Sequence, residues 1–345
     1  MTYKFKNVFI KNSYAISGLY ENDGPLGKYF DMTYKDDLYF KEKTWEQAEI
    51  KILKDSINNL LKKEKLNYND IDLILSGDLQ NQIASSSYAI RDMKIPFLGL
   101  YNACSTIAEA LIIAATFIDS KKINKAIIAT SSHNMVAEKQ FRNPTEYGTP
   151  KPKTATFTAT GATSVLLTNK STNIKIESCT ISKIWDLEQN NVNHMGAVMA
   201  PAAAESIYEH LTSLKRDSNY YDLILTGDLG IYGKNILLDY LKEKYNLDIT
   251  NNYNDCGVML YDLKKQPVFA GGSGPVCSAL VTFGYILKQL EKKELKKVLI
   301  VPTGALFSPT LLFQKETIPS IAHAFSLEVV EWLTFMPFYF VAQYV

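Results

Sequence analysis

Residues 72–79 read DLILSGDL and residues 222–229 read DLILTGDL, and the fold follows from that pair. In each, an apolar run of strand length ends at Ser/Thr-Gly-Asp, where a loop leaves a strand buried on both faces. A second match follows each copy in the same order. ACSTIAEALIIAATFIDSKKINKAIIATS, from Ala103, aligns with VCSALVTFGYILKQLEKKELKKVLIVPTG, from Val276. Both read as a tight turn carrying Cys-Ser, an apolar helix, a Lys-rich turn and a buried strand, Ala126 to Thr130 or Val298 to Val301. A long-range repeat of a strand-helix-strand unit implies a duplicated α/β chain. Two pseudo-symmetric βαβ-rich halves are expected, residues 1–170 and 171–330, with mixed sheets packed around central helices beginning near Cys104 and Cys277.

The segments between the repeats fit this layout. Thr44-Trp45-Glu46-Gln47 has the form of a capping box, and Ala48, Ile52, Leu53, Ser56 and Leu60 follow at helical spacing. Pro201 to Leu214 is expected to be the equivalent helix in the second half, with Pro201 in its first turn. Met135 to Thr160, interrupted by Pro144, Pro150 and Pro152, reads as a long loop or flap.

Composition narrows the function classes. The 345 residues are 46% hydrophobic and 21% charged, with 37 Lys+Arg against 36 Asp+Glu. This balance matches neither a disordered chain nor a nucleic-acid-binding one. Cys104, Cys179, Cys256 and Cys277 are scattered, with no CxxC pair or zinc-ligand spacing, which suits a reducing compartment. The N-terminal apolar stretch is broken by lysines, so a cytoplasmic-side location is expected. The tail at 331–345 is uncharged from Trp332 onward and rich in aromatic residues. It is shorter than the roughly 20 residues a membrane helix needs, and Pro337 interrupts it. It reads as a segment docked on its own domain or a partner, as an interfacial membrane contact, or as a fusion remnant.

Cys104 lies in GLYNACST, between an extended segment and an apolar helix. A helix N-terminus lowers a thiol pKa and holds anions, whereas the plainer reading is a small buried core cysteine.

The duplicated halves and the ACST turn resemble the thiolases and ketoacyl synthases, whose nucleophilic cysteine occupies such a turn. A closer resemblance runs nearly end to end. GPLGKYFD from Gly24, NACST from Asn102, SSHNMVAEKQFRNPTEYGTPKPKTATFTATGA from Ser131, MAPAAAESI from Met199, NDCGVMLYD from Asn254, VFAGGSGPVCSA from Val268 and IPSIAHAFSLE from Ile318 resemble the stage V sporulation protein AD (SpoVAD) family. This resemblance implies a thiolase-like fold and a non-catalytic subunit of the SpoVA machinery. It further implies peripheral association with the inner spore membrane, dipicolinic acid as ligand, and membrane channel components as partners.

Condensing enzymes of the ketoacyl synthase III type need a His and an Asn where this chain reads Thr226-Gly227-Asp228 and Gly272-Ser273-Gly274. Without a general base and side-chain oxyanion donors, condensation is disfavoured. An acyltransferase using Cys104 and a non-binding scaffold are the alternative readings. For a flat aromatic dianion, an apolar slot with carboxylate donors is required. The candidate ligand-binding residues are Cys104, Ser105, His133, Arg142, Asp228, Ser273, Gly274, Thr303 and Gly304, with Lys151 and Lys153 as further charge. Asp78 and Asp228 read first as strand-end caps, and second as contacts to calcium accompanying the ligand. No cofactor or resident metal is expected, nucleic acid is not a partner, and the thiolase-like fold carries the expectation of a homodimer.

Overall fold

The computed structural model describes residues 1–141 and 151–330, and the readings of Arg142, Pro144, Pro150 and the 331–345 tail lie outside them. Ten strands carry the architecture: β1 (Phe9–Ser17), β2 (Leu73–Gly77), β3 (Phe97–Gly99), β4 (Lys125–Ser132), β5 (Gly161–Thr168), β6 (Ile174–Thr180), β7 (Leu223–Thr226), β8 (Tyr253–Asp255), β9 (Lys297–Val301) and β10 (Ala324–Val329). They run across one continuous sheet in the order β8-β7-β9-β10-β6-β1-β5-β4-β2-β3. From the seam, where β1 and β6 pair antiparallel through Phe9 and Lys175, the two halves read β1-β5-β4-β2-β3 and β6-β10-β9-β7-β8. The orders correspond strand for strand. Each half has three parallel strands, β3-β2-β4 or β8-β7-β9, followed by an antiparallel neighbour.

Six helices pack on this sheet: α1 (Trp45–Glu64), α2 (Thr106–Asp119), α3 (Asn134–Phe141), α4 (Met195–Ser213), α5 (Gly230–Tyr245) and α6 (275–291), the last π-helical over Leu280–Ile286. Strand alternation distributes the core. Leu73, Leu75, Ala126 and Ile128 join Leu225, Val298 and Ile300 in one cluster around α2 and α6. The intervening Ile74, Ile127 and Ala129 face α1, while Ile224, Leu299 and Val301 face α4 and α5. Both faces of these strands are buried, which is why their sequences are continuously apolar. The halves therefore meet through the central helices.

The first aspartate of each octapeptide does the same work. Asp72 Oδ2 accepts from the Asn124 and Lys125 amides at 2.7 and 2.9 Å, tying down the start of β4. Asp222 Oδ2 accepts from Lys296 and Lys297 at 2.6 and 2.9 Å at the start of β9. Thr44 caps α1 through the Gln47 amide at 3.2 Å.

Two sequence expectations need correction. The helix expected at Pro201 starts at Met195, and Pro201 is interior and buried. His194 caps it, Nδ1 accepting from the Ala197 amide at 3.3 Å. The supposed flap from Met135 contains helix α3 and a short strand, Phe157–Thr158, that pairs with Gly272–Ser273.

α4 and α5 cross at two glycines. A Cβ on Gly233 would lie 2.7 Å from Gly196 Cα, and one on Gly196 would lie 2.2 Å from the Leu229 carbonyl oxygen. Backbone cannot yield as a side-chain tip can, so Gly233→Ala should push the helices apart at a cost of about 1–3 kcal/mol. The melting temperature should fall by several degrees in a thermal unfolding scan. An unchanged value would contradict the close crossing.

Candidate functional site

The turn that presents Cys104 is built from both sides. Gly77, ending β2, allows the incoming chain to pass: a Cβ there would lie 2.0 Å from the Leu100 carbonyl oxygen. Thr106 Oγ1 donates to the Ala103 carbonyl at 2.7 Å and accepts from the Asn102 amide at 3.0 Å, closing the turn. Ala103 is held at φ 46°, a left-handed conformation costly for a residue with a Cβ. This strained turn leaves Cys104 half-buried, while the other three cysteines are fully buried.

Behind the thiol stands Asp228, which is 1% exposed. Its Oδ1 accepts from Thr303 Oγ1 at 2.6 Å, and its Oδ2 from Ser273 Oγ and the Gly274 amide, each at 3.1 Å. The Cys104 thiol lies near enough to the same carboxylate to feel its charge. Burial pushes Asp228 above the ordinary carboxylate value, while donors from Thr303, Cys104, Gly274 and Ser273 pull it back. Donors at both oxygens favour its charged form against that burial. Burial drives the Cys104 thiol well above its ordinary value, and the Asp228 charge adds to the effect. A thiol whose pKa is raised is mostly un-ionised at neutral pH and is a poor nucleophile there.

The octapeptide copies thus diverge at their second aspartate. Asp78 is a cap as expected, accepting from the Gln80 and Ser86 amides at 2.9 and 2.7 Å. Asp228 is not. Asp255, at the end of β8, caps α5 instead, accepting from the Leu229 and Gly230 amides at 2.9 and 3.0 Å.

Cys104 and Ser273 line a cavity of about 130 Å³. Its walls are apolar and aromatic, with Leu79, Tyr101, Phe141, Met195, Met199 and Phe307 from both halves. Thr156, Thr158 and Glu138 add polar groups to the lining. Glu138 Oε1 meets Lys151 Nζ at 2.6 Å. Among the described residues, no cluster of three or more His, Cys, Asp or Glu side chains is set to hold a metal.

Other sequence candidates fall outside the cavity lining. The buried Ser105 hydroxyl donates to the Pro302 carbonyl at 3.0 Å, joining the halves rather than facing a ligand. His133 is buried, with Nε2 2.8 Å from the Leu38 carbonyl and Nδ1 accepting from the Met135 amide at 3.2 Å. Nε2 must therefore carry the proton, and burial lowers the ring's pKa. His133 is a loop clamp. Thr303 and the Gly274 amide serve Asp228, and Gly304 lies against the Asn102 carbonyl, where a Cβ would approach to 2.7 Å. Lys153 is exposed, and Arg142 lies outside the described residues.

The profile of the family described as stage V sporulation protein AD matches residues 1–328. The chain belongs to that family. A curated relative, stage V sporulation protein AD of Bacillus subtilis strain 168, is 46% identical over 321 residues, covering 93% of this chain and 94% of its own. Solved structures show the same fold at much lower identity. Cerulenin-bound OleA of Xanthomonas campestris superposes with a TM-score of 0.58 at 13% identity, covering 93% of this chain and 97% of its own. The 3-oxoacyl-(acyl carrier protein) synthase III of Xanthomonas oryzae gives 0.56 at 13%, covering 93% and 99%. Stage V sporulation protein AD membership, together with the protonated Cys104 held against Asp228, makes this a non-catalytic thiolase-like protein. No helix among the described residues is long and apolar enough to cross a membrane.

Proposed function

We propose that the chain is the dipicolinic acid-binding subunit of the SpoVA transport machinery, acting in uptake during sporulation and release during germination. The carrying observation is the cavity itself: an apolar, aromatic slot ending at Cys104 and Ser273, in a chain belonging to the stage V sporulation protein AD family. Tyr101, Phe141 and Phe307 suit a flat aromatic ring. The Thr156 and Thr158 hydroxyls offer hydrogen bonds to carboxylates. Translocation would belong to membrane-crossing partners, with this subunit placed peripherally on the cytoplasmic side of the inner spore membrane. Pairing into a homodimer and the arrival of calcium with the ligand belong to the same proposal.

Calorimetric titration tests the assignment, using dipicolinate with and without calcium and benzoate as the monoacid control. Saturable dipicolinate binding is expected, and Ser273→Trp should abolish it by filling the slot. Heats no greater than those of benzoate in both conditions would overturn the assignment.

A further inference from the structure

Both halves bring their lysine-rich turns to one end of the molecule. DSKKINK (residues 119–125) follows α2, EKKELKK (291–297) follows α6, and NKSTNIK (169–175) joins β5 to β6. Strand register places the three together. Lys125 is paired with Thr168, Thr168 with Phe9, Phe9 with Lys175, Lys175 with Glu328, and Glu328 with Lys297, in one row across the seam of the sheet. α2 starts beside Cys104 and runs 14 residues, about 21 Å, before it reaches this row, so the lysines and the pocket lie at opposite ends of the helix.

The three turns hold nine lysines, three acidic residues and no arginine. Asp72, Asp222 and Glu328 lie beside them and leave the lysines in the majority, nine to six. The whole chain is nearly balanced, at 37 Lys+Arg against 36 Asp+Glu, so the excess here is a segregation of charge. Lys121, Lys122, Lys170, Lys292 and Lys293 are exposed and, among the described residues, have no ion-pair partner. Asp119 turns its Oδ1 to the Lys6 and Asn7 amides instead, each at 2.9 Å. The chain also leaves the described fold at this end, where the Val330 amide donates to the Asn173 carbonyl at 2.8 Å. The sequence that follows is uncharged and rich in aromatic residues from Trp332 onward.

We infer that this lysine-rich end is the surface that docks the protein on a bilayer of anionic phospholipids, leaving the pocket, at the far end of α2, clear of the lipid. Lysine is a compact, hydrated point charge that suits a diffuse layer of phosphate headgroups, whereas bidentate recognition of a single acidic site would favour arginine. Aromatic residues next to a basic surface have the composition of a membrane–water interface. The inference rests on the peripheral placement proposed above, and names the surface and the lipid class that produce it.

Co-sedimentation of the full chain with vesicles tests this, using equimolar phosphatidylglycerol and phosphatidylcholine against phosphatidylcholine alone. Binding to the anionic vesicles should be at least about tenfold tighter, and should weaken as salt rises from about 50 to about 300 mM. Lys121→Glu with Lys122→Glu in one half, and Lys292→Glu with Lys293→Glu in the other, should each lower it at least about fivefold. Lys41→Glu with Lys43→Glu is the control. These two exposed lysines lie near Leu38, whose carbonyl meets His133 just beyond the pocket end of β4, and reversing them should change vesicle binding less than about twofold. Equal binding to neutral vesicles, lysine-turn variants that bind like the parent, or an equal loss in the control would overturn the inference. So would tighter binding to polyglutamate or duplex DNA than to the anionic vesicles, which would assign the face to an acidic polymer. Thermal unfolding checks the fold of each variant, and the lipid and salt dependence of the unaltered protein keeps the test decisive without them. The assay contains no dipicolinate, so this result and the calorimetric titration can fail separately.

Discussion

Asp228→Asn should speed alkylation of Cys104 by at least about tenfold at mildly alkaline pH, while lowering the stability of the protein. The thiol is held protonated by burial and by the facing carboxylate. Removing a nearby like charge favours the thiolate, and about 1.4 kcal/mol of repulsion relieved is a factor of ten in its population. The destabilisation has a separate cause. An asparagine oxygen can still accept from Thr303, but its NH2 group would face the Gly274 amide and Ser273 hydroxyl that now donate to Oδ2. Leaving one buried donor unpaired costs about 1–3 kcal/mol. Iodoacetamide kinetics across pH and urea unfolding check the two parts. A thiol no more reactive in the variant would mean that Asp228 does not suppress its ionisation.

The second large effect lies in the other half, at the copy of the same octapeptide. Glu49 on α1 is buried against Asp78, with Oε1 accepting from Ser131 Oγ at 3.0 Å. Burial first, then the Asp78 charge, raises the Glu49 carboxyl far above its ordinary value of 4.5, so it holds a proton at neutral pH. In the unfolded chain it ionises in the usual range. The folded state thus binds more protons above that range, and stability declines as pH rises, until the folded carboxyl itself ionises. Each pH unit of this difference is worth about 1.4 kcal/mol. From the ordinary carboxylate range up to about pH 8 the protein should lose stability steadily as pH rises, through the Glu49–Asp78 pair titrating as a unit. Glu49→Gln keeps an acceptor for Ser131 and should flatten that slope. Parallel stability curves for the two proteins would place the proton elsewhere.

The sequence carried the architecture because repetition and alternation are local signals. DLILSGDL and DLILTGDL located β2 and β7, and the Cys-Ser repeats located α2 and α6 with the strands after them. It concealed the start of α4 because Gly196 and Pro201 both resemble helix breakers, whereas one serves a close helix crossing and the other is buried inside the helix. Cys104 and Asp228 lie inside the repeats and Ser273 just ahead of the second; the structure brings the three together, but the role of Asp228 was hidden, because Asp255 takes over the capping from a different strand. Ser105 and His133 sit close to the cysteine turn or its following strand, yet their side chains are spent on the Pro302 and Leu38 carbonyls. Tyr101, Met195, Met199 and Phe307 meet only through tertiary folding, and no spacing announces them.

The central claim, that the Cys104 pocket holds a ligand and performs no acyl transfer, is tested most directly by mass spectrometry of Cys104. The protein would be incubated with acyl-coenzyme A, and separately with iodoacetamide over a range of dipicolinate concentrations. The structure predicts no acyl adduct and a saturable protection of Cys104 from alkylation by dipicolinate. A stoichiometric acyl-Cys104 species that turns over, with alkylation indifferent to dipicolinate, would contradict the account and return the cysteine to the role of nucleophile.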